Sequence, residues 1–263
     1  MKCKPTVKDI YDYINSIAPF DRQCEWDNSG LLVGNPDASV KKIGVVLDIT
    51  SDAVKYAAES GIDLIVSHHP VIFRAAKRFL DGDPAFLLAQ NGISAICAHT
   101  SLDIANGGVN DALAEALGFE NAASFCEGEA EMLRAADINE TDGESLAKLV
   151  AKKLSAGVRL ADCGKRIKRV ALCGGSGGDF IEYAASAGCD AYITGDLSHH
   201  DFLKGIECGI TLIAAGHFET ENPVVAVLCK KLNESFDCEA VIIPQASPVK
   251  YYFKRKKPCP LTE

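Results

Sequence analysis

All six histidines of this chain stand in four short stretches, and three of the four also contain carboxylates. His68 and His69 leave the apolar run LIVSHHP, and His99 and Asp103 lie in HTSLD. His217, Glu219 and Glu221 lie in GHFETE, and Asp196, His199 and His200 in GDLSHH. Imidazole nitrogen with carboxylate oxygen is a donor set for zinc, iron, manganese or nickel. Two adjacent histidines are awkward on a single ion but natural if each holds a different one. A carboxylate can then bridge the two ions at about 3.5–4 Å, as in hydrolytic two-metal centres. Thiolate sites are excluded, because no two of the eleven cysteines are closer than nine positions and no CxxC pair exists.

These residues need strands to carry them. Neighbouring side chains of a strand point to opposite faces, so His68 and His69 can converge only where the strand stops. Pro70 supplies the stop, since it keeps His69 out of the helical region and cannot extend a ladder. The chain also repeats itself. Residues 43–69 match 170–196 at an offset of 127, and GISAICAHT (92–100) matches GITLIAAGH (209–217) at an offset of 117. Each copy reads as strand, helix, strand, helix, strand: about 43–48, 51–60, 63–67, 83–91 and 93–98, then 169–173, 178–187, 190–194, 197–207 and 210–215. Gly61 and Gly188 stand where a helix C-cap is wanted. Further helices are expected near 6–17, 144–154 and 221–234, and a strand near 239–243, with INETDGES (138–145) as a turn or linker. The expectation is an α/β fold of two duplicated modules, with mostly parallel sheets flanked by helices. The first module would span 1–124, completed by 216–263, and the second 125–215. The histidine clusters would then lie between the modules at the strand C-terminal ends, where open α/β sheets bind ligands.

Composition narrows the class. A net charge of −9 argues against a general nucleic-acid partner. The basic run KYYFKRKK (250–257) reads as a solvated tail. Residues 1–20 carry no signal pattern and no apolar run is long enough for a membrane span, so a reduced, cytoplasmic protein without a membrane partner is expected.

The stretches EWDNSGLLVG (25–34), LIVSHHPVIF, HTSLDIANGGVNDALAEALG (99–118), CGGSGG (173–178), ITGDLSHHD and GHFETE occur here in order. Together they resemble the NGG-interacting-factor-three-like family, whose members are named GTP cyclohydrolase 1 type 2 homologues or dinuclear metal centre hexameric proteins. The chain resembles the short form, without an inserted domain. The resemblance implies two divalent ions per chain, with His69 and Asp103 on one, His68 and His217 on the other, and Glu221 bridging. It also implies a homohexamer built as a trimer of dimers, and a small, nucleotide-like substrate such as GTP, opened at its imidazole ring. His99, Asp196 and His200 are expected beside the ligands or facing substrate, orienting or moving protons. CGGSGG reads either as a tight turn or as an anion cradle formed by Gly174, Gly175, Ser176, Gly177 and Gly178. WDNSG, with the only tryptophan, Trp26, reads as a turn closing the site or as a core anchor. A nucleotide or phosphoester hydrolase fits the same centre, and a non-catalytic metal-binding scaffold is the rival from outside enzymology.

Overall fold

A computed structural model describes residues 4–126 and 128–252; the basic run read as a tail lies outside the described residues from 253 onward. In chain order the elements are α1 (Val7–Ile17), β1 (Gly30–Val33), β2 (Lys42–Val46), α2 (Ser51–Glu59), β3 (Leu64–Ser67), α3 (Pro84–Gln90), β4 (Ser94–Cys97), α4 (Thr100–Ile104) and α5 (Val109–Leu117). Then follow β5 (Arg134–Thr141), α6 (Gly143–Leu154), β6 (Arg159–Ala161), β7 (Ile167–Ser176), α7 (Ile181–Ser186), β8 (Ala191–Asp196), α8 (His199–Cys208), β9 (Thr211–Ala214), α9 (His217–Glu221), α10 (Pro223–Ser235) and β10 (Glu239–Ile242). They form two five-stranded sheets, ordered β1-β4-β3-β2-β10 and β5-β7-β8-β9-β6.

The duplication is visible in the register. Ile43 pairs with Leu64 and Val170 with Ala191, each pair related by the offset of 127; Leu64 pairs with Ser94 and Ala191 with Thr211, in step with the second offset. Asp63 Oδ2 accepts from the backbone N–H of Lys41 and Lys42, and Asp190 Oδ2 does the same for Lys168 and Arg169. Each carboxylate caps the start of the neighbouring strand. The one-turn helices α4 and α9 also correspond, and both follow the third strand of their module.

Each sheet is apolar on both faces, as a buried parallel sheet must be. Leu64 and Val66 pack with α1 and α10, while Ile65 turns to α2 and α3. Leu172 and Ile193 pack with α5 and α6, while Tyr192 and Leu212 face α7. Arg134, 1% exposed, ties these parts together: it pairs with Asp111 on α5 and donates to the carbonyls of Ile104 and Ala105 at the end of α4.

Two expectations are corrected, and three edge strands were not foreseen. INETDGES is no linker, because β5 runs through Thr141 and α6 begins at Gly143. β5 is an edge strand, antiparallel to β7 and half exposed, so its sequence lacks the apolar alternation that marks strands. The edge strands β1 and β6, both antiparallel, escape notice for the same reason and because they are short. Trp26 is not a core anchor, since it is 57% exposed.

Candidate metal centre

β3 ends at Ser67, but its ladder continues: His68 and His69 donate their backbone N–H to Val46 and Leu47. Both residues are therefore held in strand geometry while their side chains diverge. His68 turns inward and is fully buried, facing Asp103 on α4. His69 turns outward to meet His217 and Glu221, which stand one turn apart on α9.

Two trios result. His68 Nε2 lies 3.7 Å from both Asp103 Oδ1 and Glu221 Oε1. His69 Nε2 and His217 Nε2 lie 2.9 and 3.1 Å from Glu221 Oε2. Within each trio the ligand atoms fall within 4.8 Å of one another, and the separations of 2.9 to 3.7 Å are ones that a single ion with bonds of about 2 Å can span. All five expected ligands thus converge, and Glu221 joins both of the trios that contain a carboxylate. By proximity alone His68 stands with Asp103 and His69 with His217; the resemblance implies that His69 and Asp103 share one ion and His68 and His217 the other.

The tautomers point the same way. His68 Nδ1 lies 2.9 Å from the carbonyl of Ala98, which can only accept, so Nδ1 carries the proton. His69 Nδ1 is held by Asp48 at 2.7 Å, His99 Nδ1 by Asp27 at 2.7 Å and His217 Nδ1 by Asp196 at 2.8 Å. Every Nδ1 is taken, so every Nε2 is the free ligand atom, the arrangement that orients metal-binding imidazoles. His68 Nε2 and Glu221 Oε2 are buried without a hydrogen-bond partner, although imidazole nitrogens stand within ion-pair distance of Glu221. Buried polar atoms left unpaired are costly, and a divalent ion in each trio would satisfy them.

The charges agree. Burial pulls His69 down, but Asp48 and Glu221 outweigh it and raise it to about 10; His217 is likewise raised, to about 9, chiefly by Glu221 against burial. Burial alone would push Glu221 up, yet the three surrounding imidazoles hold it well below the usual range. Asp103 is raised by burial and by the charge of Glu221. Such a cluster calls for added positive charge.

Of the remaining expected residues, Asp196 and His99 join the cluster as described. His200 does not: it lies exposed at the start of α8, its ring against His199. Asp48 went unread, although the strand-end rule that picks out the histidines picks it out too, just beyond β2. Asp27 carried no such signal; it reaches His99 and caps α4 through Thr100 from 72 and 73 residues away.

CGGSGG is no anion cradle at its first two glycines. Gly174 N–H donates to Asn110 Oδ1 at 2.7 Å and Gly175 N–H to Thr220 Oγ1 at 3.1 Å. Gly178 lies against the Asp201 carboxylate, which would repel an anion. The glycines instead make room: a Cβ on Gly175, whose φ is +64°, would run into Glu221 Oε1. The duplication explains the position. Gly175 corresponds to Asp48 and Gly195 to His68, so the second module has small residues where the first has functional ones. A Cβ on Gly195 would meet Thr220 and the backbone of His217 on α9.

A cavity of about 500 Å³ opens beside the second trio, lined by Asp48, His69, Arg159, Asp196, His217 and Tyr251 among others. A larger cavity of about 760 Å³, between α5, β5 and α6, contains no histidine.

The model of the Duf34/NIF3 (NGG1p interacting factor 3) family matches residues 5–248. A Clostridium acetobutylicum protein named GTP cyclohydrolase 1 type 2 homolog is 34% identical over 238 residues, covering 86% of this chain and 89% of the relative. A Schizosaccharomyces pombe protein named Protein NIF3 homolog is 34% identical over 245 residues, covering 82% and 85%. The crystal structure of the Staphylococcus aureus hypothetical protein SA1388 superposes with a TM-score of 0.87 at 26% identity, covering 95% of this chain and 100% of that one.

Proposed function

The chain belongs to the Duf34/NIF3 family, and on that premise we propose that it is a hydrolase working with two divalent ions, one in each trio, that opens the imidazole ring of a guanine nucleotide. One observation carries the reading: Glu221 is shared by two trios whose Nε2 atoms are all left free by hydrogen bonds at Nδ1. The ions, when bound, supply Lewis acidity and draw a nucleophile from water at neutral pH.

The chain's own residues do the rest. Glu221 presents one oxygen to each trio and would hold an ion in each. Asp48 and Asp196 hold the rings of His69 and His217 in the tautomer that binds. His99 stands with its ring 5.2 Å from that of His68 and 5.5 Å from that of His69, its Nδ1 given to Asp27. Its Nε2 is the atom that takes a proton from water and returns it to the departing ring nitrogen. Burial works against the ionised form of Asp27, but hydrogen bonds from His99 and Thr100 hold it well below the usual carboxylate range, so it stays anionic and keeps His99 aligned. In the reaction one water adds at C8 and the bond from C8 to one ring nitrogen breaks, leaving a formamide on the other. A second water then cleaves that remaining C–N bond, releasing C8 as formate and leaving both nitrogens as amines.

Incubating metal-loaded protein with GTP tests this. Formate with an intact triphosphate is the expected result. Release of phosphate would assign a nucleotide phosphohydrolase instead, and silence towards GTP and a broad phosphoester panel would leave the scaffold reading.

A further inference from the structure

Resting on the nucleotide-hydrolase reading, we propose that Trp26 and Phe73 form the subsite that receives the planar base of the substrate, and that the loop after Phe73 receives its phosphates. Trp26 and Phe73 are 57% and 43% exposed, yet they are organised. Their ring centroids are 5.9 Å apart in an edge-to-face arrangement. Both pack against His99, at 6.0 and 6.1 Å, and His99 in turn touches the rings of His68 and His69. The pair therefore stands one imidazole away from the metal ligands, with apolar ring surface left in water.

The two residues arrive from different places and are both anchored. Trp26 is followed by Asp27, which is locked to His99 and Thr100. Asn28 Nδ2 donates to the carbonyl of Ile72 at 2.5 Å, fixing the backbone next to Phe73. A rim built in this way holds its rings in place before a ligand arrives, which lowers the ordering cost of binding. Exposed aromatic faces of this kind stack nucleobases regardless of sequence.

The occupant is identified by the charge beside it. Phe73 opens the segment FRAAKRF (73–79), exposed throughout, with Arg74, Lys77 and Arg78. Among the described residues none of these three cations makes an ion pair, although the chain as a whole carries a net charge of −9. Three unpaired cations next to two exposed aromatics suit a base joined to a polyphosphate. An apolar ligand would have no use for the charges, and a simple anion none for the rings.

Trp26 is the only tryptophan, so its emission reports on the subsite directly. The full chain, loaded with zinc, is titrated with guanosine, GTP and tripolyphosphate. Guanosine and GTP should quench the emission, and tripolyphosphate should leave it unchanged while competing with GTP. GTP should bind at least about tenfold more tightly than guanosine, and the combined Arg74→Ala, Lys77→Ala and Arg78→Ala variant should remove that advantage at unaltered zinc content. Phe73→Ala should weaken guanosine binding roughly tenfold. Emission unmoved by both guanosine and GTP would overturn the proposal, as would emission shielded from acrylamide and released on dilution, which would mean that a second copy covers the patch. Quenching without turnover would keep the base subsite and remove the hydrolase reading. Turnover with neither quenching nor an effect of Phe73→Ala would do the opposite.

Discussion

At the scale of single residues, Glu221 is the hinge of the centre. It touches both trios, whereas His217 belongs only to the second. Glu221→Ala should therefore lose both ions and His217→Ala mainly one, as read by elemental analysis of the purified variants. Equal losses in the two variants would contradict the sharing. Proton balance offers a second check. Without metal, His69 and His217 are raised to about 10 and about 9, so at pH 7 both carry protons on both ring nitrogens. An ion needs the Nε2 lone pair, so binding must expel those protons, and affinity must rise as pH climbs towards that range. Calorimetry in buffers of different ionisation enthalpy should show proton release on zinc uptake. Buffer-independent heats would show that the rings are neutral beforehand.

At the scale of elements, the close approach of α9 to the end of β7 decides what the glycines are for. Gly175→Ala should expel the Glu221 carboxylate from its place and strip metal from the protein, because the new Cβ would clash with Oε1. Gly61 also has a positive φ, +67°, but a Cβ there would meet nothing within 4 Å. Gly61→Ala should cost only the backbone strain, about 1 kcal/mol, and leave metal content unchanged. Metal analysis beside thermal melts separates the two effects. If Gly175→Ala kept its metal and lost GTP affinity alone, the loop would be a phosphate cradle after all.

At the scale of the whole molecule, the centre joins two sheets. His68 and His69 follow a strand of the first, and His217 and Glu221 sit on the helix that follows a strand of the second. Ions bound there stabilise only the folded arrangement of both. Chelation should thus lower the melting temperature, on the order of 10 °C for tightly held ions; an unchanged melt after verified metal removal would show that packing alone holds the modules. The hexamer implied by the resemblance is checked by light scattering of the purified protein, where a species near 28 kDa would refute it. No helix of the described residues is long and apolar enough to cross a membrane.

Much of this was legible in the residues alone. The repeat offsets of 127 and 117 are the offsets of the strand registers, because hydrophobic periodicity and glycine caps are local signals that two copies of one module must share. The stretches that hold the five converging ligands were legible as well, since ligands of α/β sheets gather at the carboxyl ends of strands; the choice of those five among the clustered histidines and carboxylates came from the family resemblance. The antiparallel edge strands β1, β5 and β6 were not, because they are short or partly exposed and lack clear alternation. Nor was the grouping of ligands into trios, the locking of four Nδ1 atoms by Ala98, Asp48, Asp27 and Asp196, or the use of Gly175 as clearance. Those depend on which way each side chain leaves a strand end and on how closely α9 crosses β7, and such distances exist only once the two modules are packed together.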